Sequence, residues 1–327
     1  MTLTRSAQTR FSQVTRHLPT TTTPLVRRLA VASLVSQIAI VVTGGAVRLT
    51  ASGLGCPEWP RCTAESIITT PEMGFHGVIE FGNRLLTFVL VIIAVAMIVS
   101  VLGMRRERKD LFRLSVGLFA GIPAQAVIGG ITVWTGLNPW IVGLHFLVSM
   151  ILVALATILV NRARLTTESY RHLRAPVASP LLRNLLVTST ILTSVTIVIG
   201  VVVTGSGPHA GDSGAARNGL DSDLVTRLHA LPVYLLVATV ALAVLVAYRD
   251  RVHEKLRRAL LLLAAVVLAQ AVIGYTQHFL HLPVVLVALH MLGASLLMAA
   301  AVHALYTGST RRPLPGTPAE SRAAVVV

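Results

Sequence analysis

Eight long apolar runs constrain this chain more than any other feature of its sequence. Each run holds about twenty or more predominantly apolar residues, the length that an α-helix needs to cross a bilayer. We place the runs at 27–47, 77–103, 113–134, 140–160, 182–204, 224–247, 256–275 and 283–305. With 54% apolar and only 13% charged residues, the chain has too little polar surface for a soluble protein of 327 residues. The sequence therefore predicts an all-α membrane protein with eight transmembrane helices in a lipid bilayer.

Basic residues are concentrated in alternate loops. A formal charge of +15 would suggest nucleic-acid binding in a soluble protein. Here the basic side chains precede the first span and follow the second, fourth, sixth and eighth spans. The positive-inside rule then predicts that both termini and these loops are cytoplasmic, and that nucleic acid is not a partner. No short apolar run with a small-residue cleavage site follows the basic N-terminal segment, so we expect a retained first helix rather than a removed signal peptide.

Both cysteines lie in one connection on the opposite, outer side. Cys56 and Cys62 belong to "GCPEWPRC", within the connection 48–76. An oxidising outer compartment favours a disulfide that closes this small loop. A pair of free thiols or a transient metal site is the alternative.

One short motif occurs twice. "AQAVIGG" at 124–130 returns as "AQAVIGY" at 269–275, and a histidine, His145 or His290, follows each glutamine by twenty residues. "VVTG" at 41–44 likewise recurs at 202–205. Small-residue strings of this kind also permit close helix packing, but packing alone does not explain the register of the histidines.

The repeats predict two halves of similar design. Because each half has four spans, an even number, both halves enter the membrane from the same side, which indicates a parallel duplication. The resulting predicted divisions are a cytoplasmic tail at 1–24, a first four-helix bundle at 25–165, a cytoplasmic linker at 166–181, a second four-helix bundle at 182–307 and a cytoplasmic tail at 308–327.

Three histidines share one predicted depth. His145, His229 and His290 each lie five to seven residues inside the outer end of an even-numbered span. An ionisable side chain inside a membrane normally faces the bundle interior and has a partner there. A single buried histidine is usually a packing residue, but three at one depth favour metal ligation. Imidazoles on facing helices are a common way to hold haem iron, so the pattern predicts haem ligands.

Span two lacks the fourth histidine. Its sequence "HGVIEFGNRLL" has Asn83 where span six has His229, so the second half has a histidine pair while the first has His145 facing Asn83. A single imidazole leaves an iron position open, where oxygen can bind. Glu80, one turn before Asn83, is the candidate catalytic residue, delivering protons from an apolar site. The alternative is an acidic residue that interacts with the helix dipole.

Three arginines stand near the predicted outer ends of the spans. Arg48, Arg84 and Arg227 are candidate contacts for the haem propionates, which arginine binds in bidentate fashion. The alternative is that these side chains extend to lipid phosphates. Four further histidines of the outer side carry no assigned role: His76, His209, His278 and His281.

Six motifs together resemble the bacterial type of haem A synthase. They are "GGAVRLTASGLGCPEWPRC", "EFGNRLL", "GLHF", "GSGPHAGD", "RLHA" and "ALHM". The resemblance implies a multi-pass enzyme of the bacterial cytoplasmic membrane. Such an enzyme oxidises a ring methyl of haem O to a formyl group by successive hydroxylations, and so makes haem A for cytochrome c oxidase.

The resemblance also assigns residues and partners. It implies that His229 and His290 hold a haem b cofactor, and that the first half receives haem O as substrate with His145 at its iron. Family members usually have a histidine at the position of Asn83, within a Glu-x-x-His pattern whose glutamate matches Glu80. Implied partners are the enzyme that produces haem O and the assembly factors of cytochrome c oxidase.

Two other functions fit parts of the pattern. A non-catalytic haem b electron carrier of the membrane would need the histidine pair, but not Glu80 or the open site at His145. A transporter built from parallel repeats would explain the duplication, but it leaves three histidines at one depth without a purpose.

Overall fold

Eight long helices make up nearly all of the structure, a computed structural model that describes residues 19–171, 175–176, 178–208, 214–309 and 311–312. The helices are α1 (Pro24–Leu49), α2 (Gly74–Leu102), α3 (Lys109–Trp134), α4 (Pro139–Ala163), the short α5 (Thr167–Arg171), α6 (Pro180–Ser206), α7 (Ser222–Arg249), α8 (Glu254–Phe279) and α9 (Val284–Ser309). All except α5 are long and apolar enough to cross a membrane. The eight predicted spans are thereby confirmed, and most of the helices extend a few residues beyond the predicted ends.

Two short strands accompany the helices. β1 (Ala175–Pro176) and β2 (Arg311–Arg312) pair antiparallel. They join the linker before α6 to the segment that follows α9. The amide of Ala178 also donates to the carbonyl of Gly308 at 3.2 Å, which adds to this connection.

Three of the long helices begin with the same local device. Thr23, Asn138 and Ser179 each cap a helix N-terminus with a side-chain oxygen, and a proline follows each of them as the first helical residue. The cap satisfies a backbone N–H that has no partner within the helix, and proline has no N–H to satisfy. The sequence therefore specifies where α1, α4 and α6 begin.

Each set of four long helices closes into a ring. α1 packs on α2, α2 on α3, α3 on α4 and α4 on α1; α6 to α9 repeat this order. The first and last helices of each ring also form the interface between the rings, where α9 contacts α4 and α1, and α4 contacts α6. A buried apolar cluster that includes Val41, Met150, Val153, Ile197 and Met298 fills part of this interface.

We name the two ends of the bundle by their contents. The disulfide face carries the connections 50–73, 135–138, 207–208, 214–221 and 280–283, and the basic face carries 103–108, 164–171, 175–176, 178–179 and 250–253. On the basic face Arg108 is completely buried. Its guanidinium makes two hydrogen bonds to Asp110, at 3.1 Å each, and further bonds to the carbonyls of Leu165 and Arg162. This arginine therefore links the α2–α3 connection to the end of α4.

Candidate functional site

His229 of α7 and His290 of α9 face each other across a cavity near the disulfide face. Their ring centroids are 6.5 Å apart, and the ring planes are inclined by 74°. Because a metal–imidazole nitrogen bond is about 2 Å long, two imidazoles on opposite sides of one metal ion have centroids about 6 Å apart. The spacing of the pair therefore fits one metal ion between the rings.

The walls of this cavity are mainly apolar. They include Val233, Leu236, Ala271 and Leu297, with Thr196 and Gln270 among the few polar side chains. An apolar cleft with a few convergent polar groups is the usual form of a cofactor site. The cavity thus combines two metal-ligating side chains with walls suited to a large apolar ring.

A glycine on the preceding long helix faces each of the three predicted ligands. The pairs are Gly129 with His145, Gly200 with His229 and Gly274 with His290. A Cβ atom built at Gly200 would lie 2.9 Å from Cε1 of His229, which is closer than such atoms approach; the corresponding distance at Gly129 is 3.3 Å and at Gly274 3.5 Å. The missing side chain therefore makes room for the imidazole at Gly200, and to a smaller degree at Gly129, whereas a Cβ at Gly274 would be in ordinary contact.

This arrangement accounts for the repeated motif. Gly129 and Gly274 are the first glycines of the two "AQAVIG" copies, one turn after Gln125 and Gln270. Gln125 donates to the backbone carbonyl of His145 at 3.1 Å. Each copy thus places a glutamine and a glycine on the helix face that packs against a histidine helix. The sequence reasoning found the repeat but missed the role of its glycines, although the fixed spacing to the histidine carried the signal.

The first half has one imidazole and an amide where the second has two imidazoles. Nδ1 of His145 is buried and, like that of His290, has no hydrogen-bond partner within the described residues. Oδ1 of Asn83 accepts from the hydroxyl of Thr43 at 2.7 Å. The asymmetry that the sequence indicated is therefore present, and Asn83 is bound to α1.

Glu80 is buried and both of its carboxylate oxygens are occupied. The amide of Cys56 donates to Oε2 at 2.7 Å, and Arg84 donates to Oε1 at 2.5 Å. Arg84 also donates to the backbone carbonyls of Cys56, Glu58 and Arg61. The two side chains therefore fix the cysteine loop to the start of α2. The Arg84 side chain thus binds the cysteine loop, and contact of Arg84 with haem stays a prediction.

The predicted disulfide between Cys56 and Cys62 is confirmed. Both cysteines are fully buried. From the other side of the same loop, the Trp59 ring packs directly over Gly130 of α3, and Nε1 of Trp134 donates to the Trp59 carbonyl at 3.1 Å. The loop therefore bridges α2 and α3 at the disulfide face. The loop contacts α3 at Gly130, and the preceding residue, Gly129, faces His145.

The two remaining arginine candidates differ in position. Arg48 of α1 lines the cavity of His229 and His290, and its Nη2 donates to the carbonyl of Thr204 at 2.9 Å. Arg227 is exposed and is not among the residues that line this cavity. Its contact with haem stays a prediction that no measured distance supports.

Of the four unassigned histidines, the three that the structure describes are not among the residues that line the cavity. His76 hydrogen-bonds through Nδ1 with the hydroxyl of Ser52, at 2.9 Å. His278 and His281 are exposed near the end of α8. His209 falls outside the described residues.

The donor set suits a haem better than a bare ion. Within the described ranges, no group of three or more histidine, cysteine or acidic side chains is arranged to hold a metal ion. A porphyrin supplies four nitrogen ligands itself and needs only axial ligands from the protein. The paired imidazoles, the glycines beside them and the buried Nδ1 atom of His290 therefore fit a haem.

Comparison with known proteins identifies relatives for much of the chain. Residues 27–212, more than half of the chain, match the family described as cytochrome oxidase assembly protein. Heme A synthase of Exiguobacterium sibiricum is 28% identical over 170 residues, 51% of this chain and 55% of the relative. Heme A synthase of Lysinibacillus sphaericus is 38% identical over 128 residues, 37% of this chain and 39% of the relative.

The matches have a defined extent. The chain spans about half the length, or less, of the curated relatives that it matches. The family match includes α1 to α6, and therefore His145, Glu80 and the disulfide loop, whereas His229 and His290 lie beyond residue 212. The shared region thus contains nearly all of the first ring of helices, and this multi-pass membrane protein belongs to the family of cytochrome oxidase assembly proteins.

Proposed function

We propose that this protein is a haem A synthase, which oxidises the ring methyl of haem O to a formyl group and so makes haem A for cytochrome c oxidase. The observation that carries the proposal is the His229–His290 pair, with centroids 6.5 Å apart in an apolar cavity. Family membership and relatives named heme A synthase support the same activity.

In this proposal the second half holds haem b. His229 and His290 would hold it through their imidazoles, and a haem with two imidazole ligands would supply electron transfer. The protein positions the two rings by the packing of Gly200 and Gly274 against them. The ligands therefore lie on rigid helices, as precise ligation requires.

The first half receives haem O as the substrate. His145 is the proposed ligand to its iron, and Gln125, bonded to the His145 carbonyl, holds the helix that carries it. The hydrogen bond from Thr43 to Asn83 supports a site with one imidazole, since that amide already has a partner. The disulfide loop bridges α2 and α3 close to Gly129, a position from which it can keep water from the substrate.

Glu80 is the proposed catalytic acid–base residue. Its buried carboxylate accepts hydrogen bonds from the amide of Cys56 and from Arg84. Proton delivery would require rearrangement of one of these bonds when substrate binds. Glu80→Gln keeps an oxygen acceptor for the Cys56 amide and removes the charge. We expect it to abolish formation of haem A while the loop stays folded.

We further propose that the two halves are parallel duplicates with both termini on the cytoplasmic side of the bacterial plasma membrane. The packing order supports duplication: exchanging α1 with α6 and α4 with α9 converts the α1–α9 contact into the α6–α4 contact. The basic loops gathered on one face support the orientation. The haem O-producing enzyme and oxidase assembly factors are the proposed partners.

The test of activity is the identity of the haem that the protein produces. The protein is expressed in membranes that contain haem O, and the extracted haems are separated by chromatography and identified by mass. We expect haem A and the hydroxylated intermediate. Folded protein that yields neither would eliminate the enzyme and leave an electron carrier.

The ligands are tested by substitution. We expect His229→Ala or His290→Ala to deplete the b-type haem that purifies with the protein, because each removes an imidazole that would hold it. His278→Ala, on an exposed histidine of the same face, is the matched control and should leave the absorption spectrum unchanged. An unchanged spectrum in both ligand variants would show that another pair holds the haem.

A further inference from the structure

The cavity between His229 and His290 is not built by the second half alone. Arg48 of α1 and Gly143 and Phe146 of α4 belong to its wall. These residues come from the first ring of helices, whereas both histidines come from the second. The first half therefore completes the site of the second half.

Close packing fixes the two halves together at this wall. A Cβ atom built at Gly45 would lie 2.9 Å from Cε of Met291, the residue after His290. A Cβ at Gly143 would lie 2.6 Å from Cγ1 of Val201, the residue after Gly200. Helices approach this closely only at small residues. These contacts therefore fix α1 against α9, which carries His290, and α4 against α6, which carries Gly200.

One guanidinium group, that of Arg48, lines the cavity, and that of Arg217 lies near it. Arg48 bonds to the carbonyl of Thr204 in the last turn of α6. Arg217, in the connection after α6, interacts electrostatically with Arg48 and donates to the carbonyls of Ala215 and Pro208. Two like charges held near each other favour an anion between or beside them.

We propose that Arg48, together with Arg217, binds the propionate carboxylates of the haem held by His229 and His290, so that a residue of the first half anchors the cofactor of the second. This inference rests on the proposed function, because it takes the cavity to hold haem. Arginine suits the task, since its planar group pairs with a carboxylate in bidentate fashion. The apolar walls then enclose the ring, and the two charged groups hold its only anionic edge.

The test measures how firmly the full-length protein holds its b-type haem. Arg48→Gln is compared with Arg61→Gln, which alters an exposed arginine of the same face, and haem loss is followed by transfer to excess apomyoglobin. We expect haem loss about tenfold or more faster for Arg48→Gln, because charge-assisted bonds to the propionates are lost. Arg48→Lys should recover part of the retention, and Arg61→Gln should equal the wild type.

The midpoint potential gives a second readout. A positive charge beside the propionates favours the reduced haem, so we expect Arg48→Gln to shift the potential to a more negative value in a redox titration. Arg217→Gln should shift it in the same direction, and this second variant tests the site if Arg48→Gln does not fold. An Arg48 that only contacts lipid phosphate would leave both readouts unchanged.

The outcomes separate this inference from the proposed function. Wild-type protein that is folded but binds no b-type haem would overturn both. Wild-type protein that binds haem, with Arg48→Gln and Arg217→Gln folded and unchanged in haem loss and potential, would overturn the anchor alone.

Discussion

At the scale of single residues, glycine determines where the imidazoles lie. A methyl group at Gly200 would meet Cε1 of His229 at 2.9 Å, whereas one at Gly274 would meet Cε1 of His290 at an ordinary contact distance of 3.5 Å. Two chemically identical substitutions therefore differ in the strain that they place on a ligand. Both Gly→Ala substitutions raise helix propensity, but only the one at Gly200 crowds an imidazole. Comparing them therefore distinguishes the steric effect from the effect of helix propensity.

We predict that Gly200→Ala weakens haem binding and that Gly274→Ala does not. Overpacking costs about 1–3 kcal/mol, which corresponds to a loss of affinity of about 5-fold to 150-fold. The ratio of haem to protein after purification, from the pyridine haemochrome spectrum, measures the effect. Equal ratios in the two variants would contradict the packing argument.

A second residue-scale prediction concerns Arg108, which is completely buried and forms a bidentate pair with Asp110. Arg108→Ala leaves a buried carboxylate without this partner, so we expect a loss of stability of about 3–5 kcal/mol. Thermal unfolding in detergent provides the measurement. Arg249→Ala, which removes an exposed partner of Asp250, should have little effect. Similar transitions for both variants would argue against the buried network.

At the scale of elements, the disulfide loop is held by side chains of α2 and α3. Arg84 bonds to three of its carbonyls and to Glu80, and Trp59 packs on α3. This loop is thus part of the folded bundle rather than an extension of it. The Glu80–Arg84 pair is four residues apart on α2, a spacing at which side chains of one helix meet, so the sequence carried this signal. The bonds of both side chains to the loop did not follow from the sequence, because they join residues more than twenty positions apart.

We predict that Arg84→Met frees the loop. The substitution keeps an unbranched side chain but removes four hydrogen-bonding contacts, so cleavage by trypsin after Arg61 should become faster. Limited proteolysis of the purified protein, followed by mass spectrometry, gives the rate at this bond. Arg227→Met, on an exposed arginine of the same face, is the comparison, and equal rates at Arg61 would contradict the anchoring role.

The elements also show what the sequence could and could not predict. Eight helices followed from apolar length alone. The predicted starts of α1, α4 and α6 lie one to three residues too late, although a capping residue followed by proline marks each of them. The disulfide followed from the compartment and the short spacing of Cys56 and Cys62. The position of Arg48 in the cavity of the second half did not follow from the sequence. Hydrophobic periodicity describes each helix separately and does not indicate which other helices it packs against.

At the scale of the whole molecule, the two rings meet through their first and last helices. The connections 103–108 and 250–253 lie on one face, and 135–138 lies on the other. The entire bundle therefore has one orientation in the membrane. We propose that the basic residues of one face determine it.

We predict opposite reporter activity at the two faces. A phosphatase that is active only outside the cytoplasm should be active when fused after Gly136 and inactive when fused after Arg106. A fluorescent protein that folds only in the cytoplasm should give the reverse result. Activity of the phosphatase at Arg106 would overturn the proposed orientation.

The shared wall around His229 and His290 has a consequence for biogenesis. α1 is synthesised before α9, and both contribute to the wall, since Arg48 and His290 belong to them. During translation the pocket is therefore incomplete until α9 has been inserted and has docked against α1. Capture of the proposed cofactor would then follow the docking of α9, and a chain released from the ribosome before α9 would lack a complete pocket.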